Sequence, residues 1–202
     1  MRLPARARER LRLERQHAQV VRDPPAAEQR VEARRQLVVL RRDSGGVAPL
    51  SLEELEEIQA LRLGLETFLA RDGAEACTEE ALGEMVAARA EMEQAFERGD
   101  LDAYIASFWS LRDACYRCAH RPRLARTLED QRIRVERYIL FLCGDRAAFA
   151  NLRRGPDTLL EACRARDGDA AEAATRDALL WVLAELQRLL NEHTPVAARI
   201  GP

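Results

Sequence analysis

The stretch from Ser51 to His120 constrains the fold most, because its apolar residues recur at the three-and-four spacing of amphipathic helices. The run Ser51-Leu52-Glu53-Glu54 predicts a capping box, in which the Ser hydroxyl and the Glu carboxylate reciprocally accept hydrogen bonds from amides of the first turn. We expect this first helix to continue to about Arg71. Its predicted buried face contains Leu52, Leu55, Ile58, Leu61, Leu65, Phe68 and Leu69.

Further helices follow, separated by residues that cap or interrupt helices. The second helix is predicted to begin after Thr78 and to end at Gly99, and the third to begin after Asp100. The fourth is predicted to run from Pro122 to about Gly144. The fifth should begin at Pro156, and the sixth should begin after Asp169 and run to about Asn191. The predicted apolar positions include Met85, Val86 and Met92 on the second helix, and Leu179, Leu180, Val182, Leu186 and Leu190 on the sixth. On the third helix they are Leu101, Tyr104, Ile105, Phe108, Leu111 and Cys115. Arg112 shares the buried face of the third helix.

Composition agrees with a helical fold. The chain is 47% apolar but only 5% aromatic, and Ala, Leu, Glu and Arg dominate it. Helices joined by short loops pack antiparallel. The sequence therefore predicts an all-α protein, an antiparallel bundle of about six helices.

Residues 1–50 differ from this body. They are rich in Arg, Ala and Pro, and Asp23-Pro24-Pro25 would end any helix that forms upstream. The run QLVVLRRDSGGVAPLS, with four apolar residues before a Gly45-Gly46 turn, predicts a small β-hairpin. We divide the chain into a basic arm over residues 1–50, a helical domain over 51–192 and a tail over 193–202.

The charges are distributed unevenly. Residues 1–42 contain 12 Arg and five acidic residues, a net charge of about +7, and the remaining 20 Arg and 29 acidic residues give about −9. A basic arm on an acidic body suits a nucleic-acid partner, and a disordered Arg-rich tail fits the same pattern. There is no Lys at all, which we attribute to a GC-rich coding bias.

Cysteine usage and hydropathy indicate a compartment. Five cysteines, an odd number, without an apolar signal segment favour a reducing cytoplasm. The longest nearly uninterrupted apolar run, residues 138–143, is far shorter than the ~20 residues that span a bilayer. We expect a soluble cytoplasmic protein without a membrane partner.

Four segments, in this order and spacing, carry a resemblance to a known family. They are APLSLEELEEIQALRLGLETFLA, an acidic helix leading into GDLDAYIASFWSLRD, the break HRPRL, and LLEACRARDGDAAEA. Together, over residues 48 to about 190, they resemble the C-terminal effector-binding domain, of the FCD type, of GntR-family transcription regulators. The resemblance implies a homodimer that binds DNA and a small organic-acid or acyl effector.

The family's N-terminal part is a winged helix-turn-helix. In this chain QLVVLRRDSGGVAPL resembles the wing, whereas no helix-turn pattern is recognisable in residues 1–29, so the resemblance implies a truncated or diverged DNA-binding module. The implied DNA-contacting residues are Arg30, Arg34, Arg35, Arg41 and Arg42.

The metal-binding branch of the family holds a divalent cation with one Asp and three His residues. The resemblance places these positions on Phe108, Arg112, Pro156 and Leu180, none of which ligates a metal. It therefore implies a pocket without metal or other cofactor.

The candidate effector-binding residues are Arg62, Phe108 and Arg112. Arg62 matches a family position that points to the pocket, and a guanidinium inside a bundle is costly without an anionic partner. One interpretation is a bidentate contact with a carboxylate effector. The alternative is an internal salt bridge, for instance with Glu66.

The pattern Cys115-x-x-Cys118-x-His120 suggests zinc in isolation, but no second such motif follows, and we interpret the cysteines as small buried residues. Trp109 and Trp181 are interpreted as core or dimer contacts. No pair of nucleophile and base is apparent, so we do not expect an enzyme. Two hypotheses remain: a ligand-responsive transcription regulator, or a helical ligand-binding or dimerisation module that has lost DNA binding.

Overall fold

The computed structural model describes residues 50–153 and 155–193, which form seven α-helices and contain no strand. The helices are α1 (Leu52–Glu75), α2 (Glu79–Arg98), α3 (Leu101–Cys118), α4 (Pro122–Cys143), α5 (Arg146–Leu152), α6 (Gly155–Ala165) and α7 (Gly168–His193). In this part of the chain the predicted all-α bundle is confirmed. The predicted β-hairpin lies outside the described residues, and nothing in the structure supports it.

The start of α1 is capped differently from the prediction. The Ser51 hydroxyl accepts a hydrogen bond from the Glu54 N–H at 3.3 Å, as a capping box requires. The Ser51 N–H, however, donates to the Tyr138 hydroxyl at 3.1 Å, and that hydroxyl donates to the Glu54 carboxylate at 2.8 Å. The predicted reciprocal bond is therefore replaced by a contact that fixes the start of α1 against α4.

Other helix boundaries follow the sequence signals closely. The side chains of Thr78 and Asp100 cap α2 and α3, each accepting from the amide three residues later at 3.1 Å. Gly99 ends α2 in the left-handed conformation with φ of 64°, and Pro122 occupies the first turn of α4. These four predictions are confirmed.

Two helix boundaries and one additional helix differ from the prediction. Helix α1 continues past Arg71 to Glu75, and a seven-residue helix, α5, lies in a segment for which no helix was expected. The predicted cap Asp169 is wrong, because Asp167 accepts a hydrogen bond from the Ala170 N–H at 2.9 Å and α7 begins at Gly168.

Helix α1 is central to the bundle, where it packs against α3, α4, α6 and α7. Gln187 donates to Glu56 at 3.0 Å and Arg71 donates to Glu172 at 3.2 Å, so residue numbers rise along α1 and fall along α7. The two helices are therefore antiparallel. None of the described helices has both the length and the apolarity that crossing a membrane requires.

The backbones of α1 and α3 approach closely at Gly73. A Cβ atom at this position would lie 2.3 Å from the carbonyl oxygen of Cys115, which is far inside contact distance. Only glycine fits such an approach without a shift of one helix. The contact brings the inner face of α3 directly onto α1.

Several predicted core positions are instead at the surface. Leu61 and Phe68 on α1 are 50% and 43% exposed, and Val86 and Leu180 are 41% and 47% exposed. On α1 the reason is visible, because Arg62 and Glu66 occupy the inner face and turn the neighbouring apolar residues outward. The apolar pattern alone therefore placed the buried face of α1 too far toward Leu61 and Phe68.

Candidate functional site

A set of polar side chains lies buried between α1 and α3. Arg62 and Glu66 lie one turn apart on α1 and are 2% and 0% exposed, while Arg112 and Tyr116 lie one turn apart on α3 and are 4% and 3% exposed. Side chains four residues apart on a helix share one face. Each helix therefore presents two of these four residues to the other, and we call them the buried charged cluster.

Glu66 is the centre of this cluster. Its Oε1 accepts from Arg62 Nε at 2.6 Å, and its Oε2 accepts from Arg112 Nη1 at 3.2 Å and from the Tyr116 hydroxyl at 2.8 Å. Arg112 Nη1 also donates to the Tyr116 hydroxyl at 2.9 Å. The internal salt bridge with Glu66, which the sequence left open as an alternative, is thus present for both arginines.

The protonation states give the cluster a net charge. Burial alone would raise the pKa of Glu66, but Arg62 and Arg112 outweigh burial and lower it, so Glu66 is ionised. Burial raises the pKa of Tyr116 well above its usual value, so the hydroxyl stays neutral. Burial opposes the charged form of Arg112, yet Tyr116 and Glu66 raise its pKa. Within these four residues, two guanidinium groups and one carboxylate leave a net charge of +1.

Two buried donors next to the cluster have no acceptor among the residues that the structure describes. Gln59 accepts a hydrogen bond from Arg62 Nη1 at 3.1 Å through its Oε1, but its Nε2 has no partner. The Nε of Arg112 is likewise buried without a partner. Buried polar groups are normally satisfied, and an unsatisfied one is costly. The unmatched charge and the unmatched donors both favour a further acceptor at this point.

Aromatic rings border the guanidinium groups. Arg112 Cζ lies 5.1 Å from the centre of the Phe108 ring, and Arg62 Cζ lies 5.3 Å from that of Trp109. The two rings meet edge to face at 5.2 Å. The structure therefore brings the three predicted effector-binding residues, Arg62, Phe108 and Arg112, into one connected region.

A cavity of about 240 Å³ lies beside the cluster, between α3 and α4. Its lining consists of Trp109, Asp113, Tyr116, Arg117, Ala125, Leu128, Glu129 and Arg132. Neither Phe108 nor Arg112 lines it. Trp109 and Tyr116 contact both the cavity and the arginines of the cluster, so they connect the two features.

Arg132 on α4 lines this cavity and contacts two acidic side chains and an aromatic ring. Arg132 Nη1 lies 3.0 Å from Asp113 Oδ2 and 3.4 Å from Glu129 Oε2, and its Cζ lies 5.1 Å from the ring centre of Trp109. Burial raises the pKa of Asp113, and Arg132 partly offsets that rise. The Nε1 of Trp109 is buried without a hydrogen-bond partner.

Sequence reasoning missed part of this site. Gln59, Tyr116, Asp113 and Arg132 were not singled out, and Trp109 was interpreted only as a core or dimer contact. Tyr116 carried a usable signal, because it follows Arg112 by four residues and must share its helix face. The residues of α4 carried none, since their position depends on how α4 packs against α3.

The positions implied for a metal do not converge as expected. Pro156 is buried, but Leu180 is 47% exposed and does not face the interior, so its placement in a central pocket is wrong. Among residues 50–153 and 155–193 no group of three or more His, Cys, Asp or Glu side chains is arranged to hold a metal ion. Cys115 and Cys118 are buried, which confirms their interpretation as core residues, and His120 is exposed.

The candidate DNA-contacting residues lie outside the described residues. They are Arg30, Arg34, Arg35, Arg41 and Arg42. Their role stays a prediction, as does the division of the chain at residues 50 and 193.

The fold and the buried cluster define an all-helical bundle of the kind that encloses a polar site between its helices. A family model described as FCD domain matches residues 57–180, more than half of the chain. The protein belongs to the FCD domain family, in agreement with the resemblance to the C-terminal effector domains of GntR-family regulators. Such a domain is regulatory rather than catalytic. A search among curated proteins found no match.

Proposed function

We propose that this domain is the effector-binding part of a ligand-responsive transcription regulator, and that its effector is a small organic anion bound without a metal. The observation that carries the proposal is the uncompensated positive charge of the buried charged cluster. Glu66 is one carboxylate shared by Arg62 and Arg112. An anionic ligand would complete the neutralisation that Glu66 alone leaves unfinished.

The cavity supports a small effector over a long acyl chain. Pockets for drug-sized ligands typically measure roughly 300 to 1,000 Å³, and this cavity measures about 240 Å³. Arg112 and Gln59 do not line the cavity, so we expect the carboxylate of the effector to reach their unmatched donors past Trp109 and Tyr116, which do. Its apolar part would then lie against Trp109 in the cavity.

Isothermal titration calorimetry with acetate, succinate, benzoate and octanoate tests this proposal directly. We expect one of the small acids to bind the full chain, and Arg112→Gln to weaken that binding by about 10- to 100-fold, because a hydrogen bond to a charged group contributes roughly 1.5 to 3 kcal/mol. Arg176→Gln is the matched control, since Arg176 is 45% exposed and paired with Glu172. Equal binding by the two variants, or no binding of any acid, would contradict the proposal.

The DNA-binding part of the proposal rests on the family and on the basic arm. Arg30, Arg34, Arg35, Arg41 and Arg42 are the residues we assign to phosphate contacts. A selection from a random duplex library, followed by gel-shift titration at several salt concentrations, is the appropriate test. We expect salt-dependent binding that weakens when these arginines are replaced by alanine and that responds to the effector.

The second candidate is a helical ligand-binding or dimerisation module without DNA function. Leu61 and Phe68 favour it, because they lie two turns apart on α1 and expose about half of their apolar surface. We expect a homodimer that Leu61→Glu dissociates in light scattering, with Ile133→Glu on α4 as an apolar control that is 67% exposed. A dimer that shows no binding in the library selection would favour this module over the regulator.

A further inference from the structure

Four of the five cysteines converge at one end of the bundle. Cys77 lies in the connection between α1 and α2, Cys115 and Cys118 lie in the last turn of α3, and Cys163 lies on α6. The thiol of Cys77 interacts with those of Cys118 and Cys163. The fifth, Cys143 on α4, is buried and has no part in this group. We call Cys77, Cys115, Cys118 and Cys163 the thiol cluster.

Two of these thiols are already in contact. The Sγ atoms of Cys115 and Cys163 lie 3.4 Å apart, on different helices, and the two residues are 0% and 1% exposed. A disulfide requires about 2.05 Å between its sulfurs, so the two Sγ atoms must approach by about 1.4 Å. We infer that Cys115 and Cys163 form an oxidation site that hydrogen peroxide converts into a disulfide joining α3 to α6.

The surroundings identify Cys163 as the attacking thiol. Its hydrogen bond with Cys115 lowers the pKa of Cys163, against the opposing effect of burial, and Cys77 lowers it further. Burial raises the pKa of Cys77 to about 12, and the pKa of Cys115 is raised as well. Of the two thiols in contact, we therefore write Cys163 as the attacking thiolate, and the same cross-link forms if Cys115 attacks instead.

The reaction balances in two steps. The Cys163 thiolate attacks one peroxide oxygen, the O–O bond breaks, and a sulfenic acid forms while hydroxide leaves and takes up the proton of the Cys163 thiol. The Cys115 sulfur then attacks the Cys163 sulfur, the S–O bond breaks, and the displaced hydroxide takes the Cys115 proton. Two thiols are oxidised, one peroxide is reduced, and two waters result.

All four thiols of the cluster are buried, and Cys77 and Cys118 are its outer members, 4% and 7% exposed where α1 and α3 end. Oxidation of the Cys115–Cys163 pair therefore requires peroxide to pass these two residues. Metal ligation is a different use of thiols, and no described group of three or more ligating side chains is arranged for it. This inference does not depend on effector binding, because the contact between Cys115 and Cys163 joins α3 to α6, whereas the buried charged cluster lies between α1 and α3.

Peptide mapping tests the inference sharply, because the chain has no Lys and trypsin cuts it only after Arg. Each cysteine then falls in its own peptide: residues 72–89 for Cys77, 113–117 for Cys115, 118–123 for Cys118, 138–146 for Cys143 and 155–164 for Cys163. We expect the full-length protein, reduced and then treated with hydrogen peroxide, to lose two of its five free thiols. The peptides 113–117 and 155–164 should appear as one cross-linked species that a reductant separates.

Variants complete the test. Cys163→Ser should abolish the cross-link, and Cys143→Ser, the same change at another buried cysteine, should leave it intact. If Cys163→Ser fails to fold, the peptide map of the wild-type protein alone tests whether Cys115 and Cys163 are cross-linked. Cross-links confined to other peptide pairs, five thiols that remain free under peroxide, or protection of all four cluster thiols by added zinc would overturn the inference.

Discussion

Replacing Glu66 by glutamine is the most direct perturbation of the buried charged cluster. The substitution keeps the size and shape of the side chain but removes the one carboxylate among the described residues that pairs with both Arg62 and Arg112. Two guanidinium groups then remain buried without a counter-charge, next to the Tyr116 hydroxyl. Breaking a buried ion pair by removing one partner costs roughly 3 to 5 kcal/mol.

A matched control lies on the same helix. Glu75 pairs with Arg71 at 3.7 Å, but its side chain is 56% exposed, and Glu75→Gln makes the same chemical change in contact with solvent. Exposed ion pairs contribute roughly 0 to 1 kcal/mol. We therefore expect Glu75→Gln to change the free energy of unfolding by less than about 1 kcal/mol.

Urea denaturation measures both variants. With a slope of about 2 kcal/mol per molar urea, a loss of roughly 3 to 5 kcal/mol lowers the midpoint by about 1.5 to 2.5 M for Glu66→Gln. The slope itself should stay the same, because the surface exposed on unfolding does not change. If the midpoint of Glu66→Gln matched that of Glu75→Gln, the cluster would contribute no net electrostatic stabilisation and our account of it would be wrong.

Three further predictions follow from the same structure. Folding lowers the pKa of Glu66, so the stability that its carboxylate contributes is present above the unfolded pKa near 4.5 and is lost as pH falls through the folded pKa. In urea titrations below pH 4.5, the unfolding free energies of wild type and Glu66→Gln should converge. Gly73→Ala, whose Cβ would lie 2.3 Å from the Cys115 carbonyl oxygen, should destabilise the protein by about 1 to 3 kcal/mol in thermal unfolding. The control Gly64→Ala, whose Cβ would meet no atom within 4 Å, should stabilise it by up to about 1 kcal/mol. The reverse order would refute the close contact between α1 and α3. The Cys115–Cys163 disulfide closes a separation of 48 residues and should raise the free energy of unfolding by about 4 kcal/mol, measured with and without reductant; equal values would contradict the pairing.

Several helix boundaries that a local interaction decides were predictable. A side-chain cap at Thr78 or Asp100 requires only the next three residues, and Gly99 ends α2 through its own backbone conformation. Asp167 and Asp169 lie two positions apart at the start of α7, and only Asp169 was predicted as the cap. Arg166 adopts a φ of 51°, which turns the chain so that Asp167 becomes the cap, and apolar spacing cannot reveal such a turn.

The buried face of α1 was predictable only in part. Apolar periodicity assigns charged residues to the surface, but Arg62 and Glu66 lie inside because they neutralise each other across one turn. With Arg62 and Glu66 on the inner face of α1, Leu61 and Phe68 face solvent. A pattern that ranks residues one at a time cannot account for a pair that becomes buried together.

The candidate site was likewise predictable only in part. Arg62, Phe108 and Arg112 were identified from the family resemblance, and the i, i+4 spacing named Glu66 as a partner. The cavity could not be identified, because its walls come from α3 and α4 and depend on the packing of Trp109 against Arg132. Local sequence spacing indicates which residues share a helix face but not which other helix that face contacts.

The thiol cluster shows what tertiary packing adds to a local motif. On α3 the Cys115-x-x-Cys118 motif has no partner nearby in the sequence, and its interpretation as buried residues followed from that isolation. The packing of α1 against α3 at Gly73 places the Cys115 backbone against α1 and the Cys115 sulfur 3.4 Å from Cys163 on α6. Arg112, one turn earlier on α3, contacts Glu66 through the same helix pair. One close backbone contact therefore positions both the charged cluster and the thiol pair, and a change at Gly73 should disturb the two together.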